Sequence, residues 1–178
     1  MRILVAITGA SGLEYGRRLV ELLKKDSRVE LGVVVSQGAR KVAEAEGTEL
    51  PEADYAEDDF SCPYASGSNP PDAVVLIPCS LKSLGEIANG VGDNLINRAA
   101  EVVLKERKKL VLVVRDTPYS LISIKNMEKI TLAGGIVLPA SPGFYGKPEK
   151  IDELIDFIVA RVLDQIGVKH SISKRWGK

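Results

Sequence analysis

Ile3-Leu-Val-Ala-Ile7 runs directly into Thr8-Gly9-Ala10-Ser11-Gly12, and a helical pattern opens at Leu13. Five consecutive apolar residues that end in a glycine turn read as a strand buried on both faces, the kind found in a parallel sheet with helices on either side. The glycines allow a tight turn and the close approach of a ligand, and the helix behind them brings free N–H groups and a positive dipole end to the same spot. A strand, a glycine turn and a helix N-terminus thus point to the fold class and to the edge of the sheet where a ligand belongs.

The same pattern repeats outward from this stretch. Leu31-Gly-Val-Val-Val35, Ala73-Val-Val-Leu-Ile77, Leu110-Val-Leu-Val-Val114 and Gly135-Ile-Val-Leu138 read as further fully buried parallel strands. Helical periodicity lies between them, roughly over Leu13 to Lys25, Gly38 to Glu46, Leu81 to Ala88, Asn94 to Lys108 and Ile124 to Ala133. A last helix, Glu149 to Ile166, carries Ile151, Leu154, Ile155, Ile158, Val162 and Ile166 as one apolar stripe that must lie on the sheet or on a neighbouring subunit. The expected architecture is a doubly wound, mainly parallel α/β sheet flanked by helices, Rossmann-like in outline. With 178 residues, one domain over 1–178 is expected, ending in a polar tail over 167–178. Leu50 to Asp72, rich in Pro, Asp, Ser and Gly, is longer than an ordinary connection, and such loops tend to be functional or mobile.

Composition excludes several partners. Lys plus Arg equals Asp plus Glu, 24 against 24, so no large basic field invites nucleic acid or an anionic membrane. Two cysteines, Cys62 and Cys79, are too few for a disulfide framework. The N-terminal apolar run is too short for a signal peptide, and no later run approaches membrane-spanning length, so a cytoplasmic location is expected.

In open α/β sheets ligands bind beyond the carboxyl ends of the strands, so the residues just after each strand carry the functional information. The second strand ends Val35-Ser36-Gln37, without the acidic residue that a dinucleotide site uses to hold a ribose. A mononucleotide fits better, although Ser36 could equally be a helix N-cap. The third strand runs into Pro78-Cys79-Ser80-Leu81-Lys82-Ser83, whose hydroxyls and helix N-terminus form a second anion cradle. Cys79 reads as a buried structural thiol, and His170, the only histidine, as a solvated residue of the tail. Arg98 and Lys105 lie two turns apart on one helix face with Glu101 between them, the plain reading of which is a solvated ion-pair ladder. The fourth strand delivers Arg115-Asp116-Thr117-Pro118, where a guanidinium can grip phosphate oxygens bidentately. Pro142-Gly143-Phe144-Tyr145 follows the fifth strand, and Arg161 falls at the flank of the last helix's apolar stripe.

In order along the chain, Thr8-Gly-Ala-Ser-Gly12, Pro78-Cys-Ser80, Asp93-Asn-Leu-Ile96, Arg98-Ala-Ala100, Leu104-Lys-Glu-Arg107, Arg115-Asp-Thr-Pro118, Pro142-Gly-Phe-Tyr145, Val159-Ala-Arg-Val-Leu163 and Arg175-Trp-Gly177 resemble the UbiX-type flavin prenyltransferases, a family of homo-oligomeric flavoproteins. The resemblance implies that dimethylallyl phosphate alkylates reduced FMN at N5 and C6 without a metal. It also implies that the prenylated FMN serves a separate UbiD-type decarboxylase. By resemblance, Gly9, Ala10, Ser11, Ser36, Ser80, Leu81, Lys82, Ser83 and Arg115 hold FMN. Lys105, Tyr145 and Arg161, with Asp116, look like the dimethylallyl phosphate site. Ser11, Glu46 and Asp116 would be catalytic, with Ser11 near flavin N5 and Glu46 assisting ring closure, while Arg98 takes a supporting role. The family is a trimer-based homododecamer with sites shared between subunits. Two departures stand out: Asp116 replaces a glutamate, and Phe60 stands where some members place tryptophan. The rival readings are an FMN-dependent cysteine-type decarboxylase, which uses a catalytic histidine and an Asn-rich, Met-containing motif, and a non-catalytic flavin carrier or decarboxylase subunit.

Overall fold

A computed structural model describes residues 1–177; Lys178, the last residue of the expected tail, lies outside them. Five parallel strands, β1 (Arg2–Ile7), β2 (Glu30–Val35), β3 (Ala73–Cys79), β4 (Lys109–Val114) and β5 (Ile136–Pro139), form one sheet in the order β2-β1-β3-β4-β5. The order reverses beside β1 and β3, which opens a crevice at their carboxyl ends.

Residues alternate between the two faces of the sheet as the period of a strand requires. Ile3, Val5 and Ile7 of β1, with Ala73, Val75 and Ile77 of β3, enter the core shared with α1 (Leu13–Lys24) and α6 (Ile151–Ile166). Leu4, Ala6, Val74 and Leu76 enter the opposite core, with α3 (Leu81–Ala88), α4 (Leu95–Lys105) and α5 (Leu121–Leu132) behind it. Beyond Arg2 and Lys109 at the strand starts, neither face of β1, β3 or β4 meets water, which explains their apolar runs. β5 departs from the expected full burial: it is the edge strand, and Ile136, Val137 and Leu138 are only half-buried.

The last helix rests on α1 and β4 through Ile158, Val159, Val162, Leu163 and Ile166. Ile151, placed by its spacing in the apolar stripe, is instead 76% exposed, at the first residue of the helix. α2 (Gln37–Glu46) buries only Ala39 and Ala43, and Thr48 Oγ1 donates to Glu14 Oε1 at 3.0 Å. The far end of α2 is thereby tied to the first turn of α1.

The long segment before β3 is packed in place. Tyr55 N and Asp54 N donate to Val33 O, Val33 N donates to Asp54 Oδ2 at 2.9 Å, and Tyr64 and Cys62 sink into the core beneath β2. Phe60 in the same segment is 50% exposed. Among the described residues no helix is long and apolar enough to cross a membrane.

Candidate active site

Three helix N-termini, those of α1, α2 and α3, converge at the carboxyl ends of the adjacent strands β2, β1 and β3. Thr8 organises the centre. Its Oγ1 donates to Pro78 O at 2.9 Å and accepts from Ser80 N at 2.8 Å, so the turn after β1 is fastened to the turn after β3. Sequence reasoning passed over Thr8, although a buried hydroxyl at a strand end is the available signal.

The turn needs its glycines for different reasons. Gly12, at φ +92°, caps α1 without a side-chain hydrogen bond and so leaves the donors of that N-terminus to a ligand. A Cβ on Gly9 would lie 2.9 Å from the backbone carbon of Gly38, so α1 and α2 can start side by side only if that atom is absent. Ser36 caps α2 by accepting from Ala39 N at 3.0 Å, while Glu57 Oε2 accepts from Gln37 N at 2.8 Å. Ser80 caps α3 through Ser83 N, and the two hydroxyls lie 3.1 Å apart. Leu81 and Lys82 then hold first-turn N–H groups that no intrahelical carbonyl can meet, and the Lys82 ammonium turns aside to Glu86 at 2.6 Å.

Arg115 reaches this cradle from β4, its Nε donating to Ser11 O at 3.1 Å. The structure therefore gathers Gly9, Ala10, Ser11, Ser36, Ser80, Leu81, Lys82, Ser83 and Arg115 at one edge of the sheet. Asp116 lies next to them, but its Oδ1 accepts from Thr117 N at 2.8 Å, bending the carboxylate back onto its own turn. Burial pushes the Cys79 thiol up to about 12, so it is protonated at neutral pH and is no nucleophile.

The other expected residues lie apart. Tyr145 and Arg161 line a cavity of about 400 Å³ with Phe157, Asp164, His170 and Trp176, and none of the cradle residues borders it. Tyr145 meets Phe157 and Trp176 edge to face, at centroid distances of 5.7 and 5.2 Å. Lys105 closes α4 just before β4 begins, at the opposite edge of the sheet, with its ammonium 2.5 Å from Glu106 Oε1. The ladder expected on α4 is thus not formed as drawn: Glu101 pairs with Arg98 at 3.4 Å, and Arg98 Nε also anchors the long segment through Ala65 O at 3.1 Å. Glu46 is exposed at the end of α2.

His170 corrects the sequence reading. Its side chain is 6% exposed, with Nε2 3.0 Å from Asp164 Oδ1, because the segment after α6 folds back against the helix through Val168 and Ile172. The expected polar tail is in fact partly a core element.

An α/β protein with a cradle of helix N-termini at the topological switch point, joined by an arginine from β4, is the class that the geometry defines. Comparison with known proteins agrees. A family model described as Flavoprotein matches residues 1–163. The flavin prenyltransferase UbiX of Methanocaldococcus jannaschii is 45% identical over 184 residues, covering 99% of each chain. Two solved structures superpose at a TM-score of 0.93. One is AnUbiX in complex with FMN and dimethylallyl pyrophosphate, 39% identical, with 99% of this chain and 97% of that one covered. The other is a dodecameric FMN-dependent UbiX-like decarboxylase from Escherichia coli O157:H7, 37% identical, with 100% of both chains covered. The chain belongs to the UbiX-type flavin prenyltransferases of the flavoprotein family.

Proposed function

We propose that this chain binds FMN in the cradle at the ends of β1, β2 and β3 and transfers a dimethylallyl group to the reduced flavin, making prenylated FMN for a UbiD-type decarboxylase. The observation that carries this reading is the presence of two chemically distinct binding regions on one chain. One is a cradle of helix N-termini. The other is a cavity walled by Tyr145, Phe157 and Trp176 and bearing the cations of Arg161, Lys174 and Arg175. The first suits a flavin and its phosphate; the second suits an anionic group attached to a small apolar tail. Solved AnUbiX holds FMN and dimethylallyl pyrophosphate together, which supports the pairing.

The residues present fit FMN. The absent Cβ at Gly9 lets the turn lie against α2, Gly12 leaves the N-terminus of α1 without a side-chain cap, and Ser36, Ser80 and Ser83 supply hydroxyls along the same edge. Bound and reduced, FMN supplies the electron-rich ring that accepts the allylic carbon. This chain's residues hold the donor phosphate: Lys105 and Arg161 neutralise the charge that develops as the C–O bond breaks, and Tyr145 donates a hydrogen bond to it. Ser11 and Glu46 would place or move protons at the flavin, and Asp116 at the phosphate.

Lys105, the cavity and the cradle lie apart on a single chain, so one complete site needs residues from more than one copy. That separation supports a homo-oligomer built from trimers, and the Escherichia coli relative is dodecameric. The reading is tested by incubating the purified protein with reduced FMN and dimethylallyl phosphate and weighing the flavin. A gain of one C5H8 unit is expected; an unchanged flavin mass, with FMN still bound, would leave a flavin carrier.

A further inference from the structure

The end of α6 and the segment behind it meet at one carboxylate. Asp164 Oδ2 accepts from Arg161 Nη1 at 2.7 Å, and Oδ1 accepts from Arg175 Nη2 at 2.8 Å. His170 Nε2 lies 3.0 Å from the same Oδ1, and its Nδ1 is buried with no partner among the described residues. His170 Nε2 thus sits between the Asp164 carboxylate, which only accepts, and Arg175 Nη2 at 3.3 Å, which only donates. All of these groups border the cavity, where Trp176 crosses Tyr145 edge to face at 5.2 Å.

Arg161 is a long side chain whose free guanidinium samples many rotamers, and fixing it costs conformational entropy whenever a ligand arrives. A carboxylate one turn further along the helix restricts that sampling beforehand. It also separates two guanidiniums that would otherwise repel each other across the cavity. Each guanidinium has five N–H donors, so both can keep a bond to Asp164 and still offer donors to a phosphate. With Arg161, Lys174 and Arg175 against a single carboxylate, the cavity stays net positive. Burial alone would raise the Asp164 carboxyl, but hydrogen bonds from Arg175 and His170 outweigh it and leave the group below its ordinary value of 3.8. Asp164 is therefore charged at neutral pH.

We propose that Asp164 is a positioning residue of the donor-phosphate site. Its carboxylate holds the Arg161 guanidinium in the cavity and, through His170 and Arg175, latches the C-terminal segment so that Trp176 closes against Tyr145. The proposal rests on the reading that this cavity takes the dimethylallyl phosphate donor.

Trp176 is the sole tryptophan of the chain, so its emission reports the latch independently of turnover. Titrating the FMN-loaded protein with dimethylallyl phosphate is expected to give a saturable change in that emission, with inorganic phosphate a weaker second probe. In Asp164→Asn the midpoint should move up about tenfold or more, and KM for the donor should rise by the same factor. Over the same comparison FMN content should not change. Asp164→Glu should recover part of the loss. Arg175→Ala, at an exposed position that does not endanger folding, should shift the midpoint in the same direction by less. An unmoved midpoint and KM in both Asp164→Asn and Arg175→Ala would overturn the proposal, as would a fall in kcat with KM unchanged. If the wild-type protein adds no C5H8 unit to flavin yet the emission titrations behave as described, the reaction assignment fails and the positioning role stands.

Discussion

The Nε of Arg115 donates to the carbonyl of Ser11 at 3.1 Å, joining the end of β4 to the turn after β1 across the intervening strand β3. One guanidinium thus braces the glycine turn, and its other N–H groups have no partner among the described residues. Arg115→Ala should lower FMN affinity by about tenfold to a hundredfold, the value of one charge-assisted hydrogen bond of about 1.5–3 kcal/mol. Flavin absorbance per protein after dialysis measures this, and full retention of FMN would show that Arg115 is only a brace.

Gly9→Ala places a Cβ 2.9 Å from the carbon and 3.0 Å from the Cα of Gly38. Both neighbours are backbone and cannot rotate away, so α2 must shift, at a cost of about 1–3 kcal/mol. Tm should fall by roughly 2–4 °C for each kcal/mol, and FMN should be lost in parallel because the displaced helix is one wall of the cradle.

Ser36 has a structural role already, as the cap of α2 through Ala39 N. Aspartate caps as well as serine, so Ser36→Asp should leave Tm nearly unchanged while its charge repels the flavin edge and lowers FMN content. Ser36→Ala should instead cost about 1 kcal/mol of stability through the lost cap. Normal flavin content in Ser36→Asp would confine Ser36 to capping.

Lys105 is exposed and, among the described residues, pairs only with its neighbour Glu106, a contact worth less than about 1 kcal/mol. Lys105→Ala should therefore keep its Tm and its FMN while prenylation drops sharply, because the cation is assigned to the leaving phosphate. Activity within about a factor of two of wild type would reduce Lys105 to a surface charge.

Tyr145 and Arg161 border the same cavity, which makes their contributions to one phosphate interdependent. Tyr145→Phe and Arg161→Ala should each reduce transfer by about tenfold to a hundredfold. The double variant should lose less than the product of the two, with FMN retained throughout. Strict additivity in the measured kcat/KM would place the two residues on different ligands.

Much of this was readable from local chemistry. The helix Leu81–Ala88 has the boundaries its sequence predicts, because Ser80 marks its start and its apolar spacing is unambiguous. α5 begins at Leu121, three residues before the expected Ile124, although Ser120 and Ser123 repeat the Ser80 and Ser83 cap. There, exposed Leu121 and Ile122 break the amphipathic pattern that would have extended the helix. α4 stops at Lys105 instead of Lys108, since Arg107 adopts a φ of 56° that no helical residue has.

The candidate site divides in the same way. Cradle residues follow their strands by one to four positions, so a rule about strand ends finds them without coordinates. Thr8, Glu57 and Asp164 escaped because each acts through a partner far along the chain or beyond a turn. Thr8 meets Pro78 and Ser80, Glu57 meets Gln37, and Asp164 meets Arg175.

By itself the sequence determined the parallel α/β layers and the sheet edge where the helix N-termini gather, because both follow from periodicity and from residues adjacent in the chain. Only the tertiary structure decided that His170 is buried, that the C-terminal segment closes on Tyr145, and that Lys105 lies at the opposite edge of the sheet from Ser11. Those facts depend on which distant segments pack together, and the free energy of that packing belongs to pairs of surfaces that no local pattern encodes.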